Sequence, residues 1–167
     1  MACVIINMGS NLGHQRLMLS KAMRAVSMEF GAFELSHAVE SDAQGFESKH
    51  KFLNVCMMFQ TEDEPLEVLH KLQQIERSLS AVPHRNADGS YADREIDIDI
   101  IAIDDIVMDT DEIKLPHPRL SERRFFLEPL REIAPAWKHP ATGMTADDML
   151  ALLPGGNGSQ SGQTVDN

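Results

Sequence analysis

Residues 52 to 59 read Phe-Leu-Asn-Val-Cys-Met-Met-Phe, a run with the length of a strand and a single polar member, Asn54. Strand alternation leaves such a run no wet face, so it predicts a strand in the interior of a sheet rather than at its edge. A second apolar run, Cys3 to Met8, ends at Gly9-Ser-Asn11 and predicts another buried strand that turns sharply into a helix. Leu19, Met23, Val26 and Phe30 recur at steps of four, three and four, which sets one face of that helix, and Gly31 ends it. Phe33 to Glu40 predicts a further strand, followed by a polar loop from Ser41 to Lys51 around Gly45. Thr61-Glu-Asp-Glu-Pro65 puts acids and a proline where a helix begins, and Leu66, Leu69, Leu72, Ile75 and Leu79 form its stripe. A long loop from Ala81 to Asp93 leads to Ile96-Asp-Ile-Asp-Ile100, whose alternation points the isoleucines one way and Asp97 and Asp99 the other.

The order strand, helix, strand, strand, helix, strand is the split pattern of a ferredoxin-like α+β sandwich, an antiparallel-rich sheet with helices packed on one face. The opposite face is then expected to stay partly open. Asp104-Asp105 predicts a turn into a short ribbon around Ile106 to Met108. Beyond Leu115-Pro-His-Pro118 the chain predicts helical pieces broken at Pro129, Pro135 and Pro140, with a last helix from Asp147 that stops before Pro154. The expectation is one domain over residues 1–154 and a disordered tail over 155–167, where Val165 is the one large apolar residue.

Bulk charge narrows the partners. A net charge of -11 repels nucleic acid and anionic membrane surfaces, so neither is expected as a partner. No apolar stretch approaches the ~20 residues of a membrane span, and the N-terminal run is too short for a secretory core, which predicts a soluble, cytoplasmic chain; a monomer is expected over an oligomer. Cys3 and Cys56 sit inside apolar runs without metal-ligand spacing and are expected as buried free thiols. Seven of the nine arginines lie between Arg77 and Arg131, in the half that also carries the most suggestive carboxylates, and an anionic ligand could be held there.

Asp97 and Asp99, two apart on one strand, project from the same face within reach of one or two cations. Magnesium suits them, because it prefers hard oxygen ligands and commonly bridges carboxylates to nucleotide phosphates. An isolated Asp-x-Asp is more often the wet side of an edge strand. Arg94, His117, Arg119, Arg123 and Arg124 tip the balance, since they supply donors suited to phosphate oxygens beside the acids. Arg119, Arg124 and Arg131 could instead pair with surface acids, and Phe52 and Phe125 taken singly are ordinary core residues.

The string from Leu115-Pro-His-Pro-Arg119 through Arg123-Arg-Phe-Phe-Leu-Glu-Pro-Leu-Arg131 to Pro135, together with Arg94-Glu-Ile-Asp-Ile-Asp99, resembles the signature of the hydroxymethyldihydropterin pyrophosphokinases. Gly9-Ser-Asn-Leu12, Phe52-Leu-Asn54, Pro65-Leu66, Gln73, Ile75-Glu76 and His139-Pro140 fall in the family's order, so the resemblance covers residues 4 to 153. It implies a ferredoxin-like fold, ATP as co-substrate, two magnesium ions, and transfer of a diphosphate from ATP to the hydroxymethyl group of a pterin alcohol with release of AMP. By position it implies that Asp97 and Asp99 bind the metals, with Asp97 also drawing the proton from the attacking hydroxyl. Gln73, Glu76, Arg94, Ile100, His117 and Arg123 match nucleotide-side positions, and Arg94 and Arg123 count with the two aspartates as catalytic. Asn54 matches the reader of the pterin's polar edge, Phe52 and Phe125 the residues that sandwich its ring, and Gly45 the glycine of the pterin loop.

The chain departs from that pattern after Glu76. Ala81 and Pro83 stand where loop arginines are expected, leaving Arg85 or His84 as substitutes, and Tyr91 stands in for an aromatic ahead of Arg94. Ser41-Asp-Ala-Gln-Gly45 lacks the proline-rich character of the pterin loop. These departures motivate an alternative expectation, a nucleotide-binding protein of the same fold with weak or lost turnover and a binding or regulatory role.

Overall fold

The structure is a computed structural model that describes residues 1–10, 15–41, 51–80 and 96–154. Gly45, His84, Arg85, Tyr91, Arg94 and the expected tail over 155–167 lie outside the described residues. In chain order the elements are β1 (Ala2–Ser10), α1 (Gln15–Phe30), β2 (Phe33–Leu35), β3 (Val39–Ser41), β4 (Phe52–Thr61), α2 (Pro65–Leu79) and β5 (Asp97–Ile103). A ribbon of β6 (Met108–Asp109) and β7 (Lys114–Leu115), a 3-10 turn over Leu120–Glu122, α3 (Arg124–Ile133) and α4 (Ala146–Ala151) complete it. No helix among the described residues is long and apolar enough to cross a membrane.

The apolar run that begins at Phe52 forms β4, which lies inside a sheet of order β2-β4-β1-β5 with β3 also paired to β4. Every pairing in it is antiparallel. Alternation then sorts the side chains. Val4, Ile6 and Met8 of β1, Leu53, Val55, Met57 and Phe59 of β4, and Ile98 and Ile100 of β5 share a core with Leu19, Ala22 and Val26 of α1 and Val68, Leu72 and Ile75 of α2. Each fully buried side chain of this size contributes roughly 1.5–3 kcal/mol, which is what fastens both helices to one face. α2 starts as its sequence predicts, with Pro65 in its first turn and the carboxylate of Glu67 accepting the Glu64 N–H at 2.9 Å.

The opposite face is covered rather than open over part of its area. Ile5 of β1, Cys56 of β4 and Ile101 of β5 pack against Phe126, Leu127 and Leu130 of α3 and Met149 and Leu150 of α4. The sequence reading broke this region at Pro129, but Pro129 lies buried inside α3. A proline costs an interior helix one N–H, and a partner from outside the helix can take over the orphaned carbonyl. A β-bulge lets β5 serve both faces: Ile5 pairs with Ala102 but Ile6 with Ile100, which leaves Ile101 extra. Ile101 and Ala102 therefore both turn toward α3, while Ile103 returns to the α1 and α2 side.

The single strand expected over Phe33 to Glu40 is two strands. β2 and β3 both pair with β4, but the register slips by one residue between Leu35 and Val39. Ser36 bridges the gap, its N–H donating to the Cys56 carbonyl at 2.9 Å and its hydroxyl oxygen accepting the Cys56 N–H at 2.9 Å. The chain then swings to α3, where the His37 N–H meets Glu132 Oε1 at 2.8 Å.

Gly9 of β1 lies opposite Asn54 of β4, and a Cβ added to Gly9 would stand 2.8 Å from Asn54 Oδ1. Gly9→Ala is therefore expected to cost about 1–3 kcal/mol in urea unfolding, and an unchanged midpoint would show that Asn54 yields freely. Cys56 is fully buried and its thiol is pushed up to about 12, chiefly by burial. A thiol reagent at about pH 8 should leave Cys56 unmodified until denaturant is added. Modification in the folded chain at the rate of the more exposed Cys3 would contradict this.

Candidate active site

The strand register assembles two rows of side chains on the face away from α1 and α2. In one, Asn54 of β4 faces Gly9 of β1, which faces Asp97 of β5; in the next, Cys56 faces Asn7, which faces Asp99. With about 4.8 Å between neighbouring strands, Asn54 and Asp97 stand roughly 10 Å apart with Gly9 between them, and the Asn54 amide and the Phe52 ring lean into the space that the glycine's missing side chain leaves.

Asn54 is only 2 % exposed, and its amide nitrogen donates to Ser41 Oγ at 2.8 Å and to the Val39 carbonyl at 3.3 Å. Both donors are spent on β3, so the amide plane is fixed. Phe52, two residues earlier and half-buried, brings its ring within 3.8 Å of the point where a Gly9 Cβ would sit.

On the other side of the floor stands the first turn of α3. Arg123 is its N-cap, with the guanidinium 5.6 Å from the Phe125 ring centre and 5.1 Å from that of Phe126. Phe126 meets Phe125 edge-on at 5.0 Å and the His117 ring edge-on at 5.0 Å. Phe52 and Phe125 make no ring contact with each other among the described residues.

His117 is pinned at its backbone by an N–H donated to the Ile101 carbonyl at 2.8 Å. Its Nδ1 accepts the Arg119 N–H at 3.1 Å, which assigns the ring proton to Nε2, and Nε2 lies 3.9 Å from Asp99 Oδ1. Burial first, then the charges of Arg123 and Arg119, hold the imidazole down at about 4 against an upward pull from Asp97. At neutral pH the ring is thus an uncharged donor aimed beside the carboxylates.

Asp97, Asp99, Gln73, Glu76, Ile100 and His117 line one cleft of about 340 Å³. One wall is α2, the floor is the free edge of β5, and the far wall is the β6–β7 ribbon through Glu112, Ile113 and Lys114. Glu76 closes α2 onto that edge, its Oε2 accepting the Ile98 N–H at 2.5 Å. Asp97 and Asp99 are both half-buried, as alternation on β5 requires. Among the described residues no three His, Cys, Asp or Glu side chains gather into a complete metal cage. A carboxylate pair supplies hard oxygens, which suit an ion that also keeps water and phosphate ligands, as magnesium does.

Of the nucleotide-side residues singled out from sequence, Gln73, Glu76, Ile100 and His117 line this cleft with the two aspartates, and Arg123 does not. Asn54 and Phe52 sit on β4, Phe125 and Arg123 on α3, and Arg94 and Gly45 lie outside the described residues. The ribbon after Asp104-Asp105 matches expectation, but sequence reasoning missed its second strand and its place as a wall of this cleft, and it missed Asn7. Asn7 carried the same signal as Asn54, one polar residue inside an apolar strand, whereas two-residue strands carry no periodic signal at all.

The family profile described as 7,8-dihydro-6-hydroxymethylpterin-pyrophosphokinase (HPPK) matches residues 5–135. The chain is 39 % identical over 142 residues to the 2-amino-4-hydroxy-6-hydroxymethyldihydropteridine pyrophosphokinase of Porphyromonas gingivalis, covering 84 % of this chain and 95 % of that one. Its counterpart of that name from Aquifex aeolicus is 36 % identical over 140 residues, 84 % of this chain and 85 % of the other. A solved HPPK-DHPS chain of Plasmodium falciparum shares the fold with a TM-score of 0.68 at 13 % identity, over 89 % of this chain and 44 % of that longer one. Profile and relatives agree along most of the sequence, and the chain belongs to the 7,8-dihydro-6-hydroxymethylpterin-pyrophosphokinase family.

Proposed function

We propose that the chain transfers a diphosphate from ATP to the hydroxymethyl oxygen of 6-hydroxymethyl-7,8-dihydropterin, releasing AMP, as a step of folate synthesis. The observation that carries this reading is the row Asn54, Gly9, Asp97, which sets a fixed amide and a carboxylate on the two strands either side of a glycine. A flat bicyclic ring whose polar edge meets Asn54 would project its exocyclic alcohol toward the acids.

Each group then has a task. Asn54 pairs with the ring's polar edge, and Phe52 and Phe125, which leave each other free, stack on its two faces. Asp97 and Asp99 would hold two magnesium ions, whose chemistry is to neutralise the triphosphate and polarise the phosphorus under attack. Gln73, Glu76 and Ile100 border the nucleotide, and the Nε2–H of His117 and the guanidinium of Arg123 donate to phosphate oxygens. Arg94, which matches a nucleotide-side position of the family, would add a further cation. The hydroxymethyl oxygen forms a bond to the β-phosphorus as the bond from that phosphorus to the α–β bridging oxygen breaks. AMP leaves with the bridging oxygen, and Asp97 accepts the alcohol proton. Such a transfer depends on alignment and charge neutralisation more than on a covalent nucleophile. Nothing among the described residues favours a binding protein without turnover.

With magnesium, ATP and the pterin alcohol, the purified chain is expected to release AMP and pterin diphosphate in equal amounts. Release of ADP, or of neither nucleotide, would contradict the reading. Asp97→Asn and Asp99→Asn should each lower kcat by about 100-fold or more, with a Tm within a few degrees of the parent, because neither carboxylate belongs to the core. Activity lost only through unfolding would assign them a structural role. Chelation should abolish turnover and added magnesium restore it, and persistent turnover in chelator would remove the metal from the mechanism.

A further inference from the structure

α3 carries a defect that its own sequence creates. Pro129 lies in the helix interior and has no N–H, so the carbonyl of Phe125, four residues earlier, lacks its helical donor. A carbonyl removed from water without a partner is destabilising. The sheet supplies the donor: Asn7 Nδ2 stands 3.3 Å from the Phe125 carbonyl oxygen. The next carbonyl is treated alike, with Cys56 Sγ lying 3.9 Å from the Phe126 oxygen. Asn7 and Cys56 are themselves joined, Nδ2 to Sγ, at 3.7 Å.

The position of this latch is what gives it meaning beyond stability. Asn7 is 2 % exposed in the central strand, and its two register partners are Cys56 on one side and Asp99 on the other. The turn that it holds is the one carrying Arg123 and Phe125. An apolar residue at position 7 could fill the same space, but only a directional donor ties the α3 main chain to one point on the strand beside Asp99.

We propose that Asn7, backed by Cys56, is a positioning residue that fixes Arg123 and Phe125 of α3 against the Asp99 row of the sheet. The proposal rests on the functional reading above for its substrate, and the geometry is specific to this chain's own Asn7, Cys56 and Pro129. Carbonyl pairing and positioning can be separated, because Pro129→Ala returns an N–H donor to Phe125 from within the helix without restoring any tie to the sheet.

The test compares the parent chain, Asn7→Ala, Pro129→Ala and the double variant as a cycle. Asn7→Ala is expected to lower Tm and to raise the pterin KM about tenfold, with affinity for a nonhydrolysable ATP analogue changing less than about threefold. In the double variant the Tm loss should recover while the pterin KM stays raised. A pterin KM that never moves, or that recovers together with Tm, would overturn the proposal and leave Asn7 only a carbonyl's partner. Amide hydrogen exchange in the ligand-free chain reads the same latch without turnover, and it should quicken across Phe126 to Leu130 in Asn7→Ala. Unchanged exchange would also overturn it. Failure of the parent chain to turn over the pterin alcohol would count against the functional reading alone, since the exchange comparison still decides the latch.

Discussion

Everything at the site depends on the antiparallel register of β1 between β4 and β5. That register puts Gly9 between Asn54 and Asp97, and Asn7 between Cys56 and Asp99. Because side chains alternate along a strand, a slip of one residue would send Asn54 and the aspartates into the α1 and α2 core and bring isoleucines to the surface. The isoleucines and valines that fasten the two helices therefore also hold the polar row in place. Stability and site geometry are set by the same alternation.

The face that carries chemistry is only half surrendered to solvent. α3 and α4 bury its distal part, through Ile5, Ile101 and Leu127 among others, and the start of α3 reaches as far as Asn7 in the row next to Gly9. The bulge at Ile101 reconciles these demands, since it lets one short strand present two aspartates at its start and feed two cores further along. Glu76 and His117 then close the free edge from opposite sides, one by accepting the Ile98 N–H and the other by donating its own N–H to the Ile101 carbonyl. An edge strand satisfied in this way does not invite another chain to pair with it there.

Much of this was legible in the residues. β4 and β5 announced themselves because continuous apolarity and strict alternation have few other solutions, and the acid pair followed from that alternation. His117 was singled out by its chemistry, as a donor beside carboxylates, and its ring lies beside Asp99. The cover on the second face was not, because Pro129 interrupts the pattern of α3 and the donor that compensates at the Phe125 carbonyl lies 118 residues before Phe125, at Asn7. The break between β2 and β3 was hidden for a related reason, since a serine hydroxyl replaces a backbone group in the ladder and leaves no trace in hydropathy. Long-range repairs of local defects cannot be read from local sequence.

The central claim is that the ring and the triphosphate meet end to end over Gly9, and it is tested most directly by a crystal structure with magnesium, the pterin alcohol and a nonhydrolysable ATP analogue. The ring is expected between Phe52 and Phe125 with its polar edge on Asn54, and the metal on Asp97 and Asp99. A ring bound elsewhere, or phosphates held away from both aspartates, would contradict it.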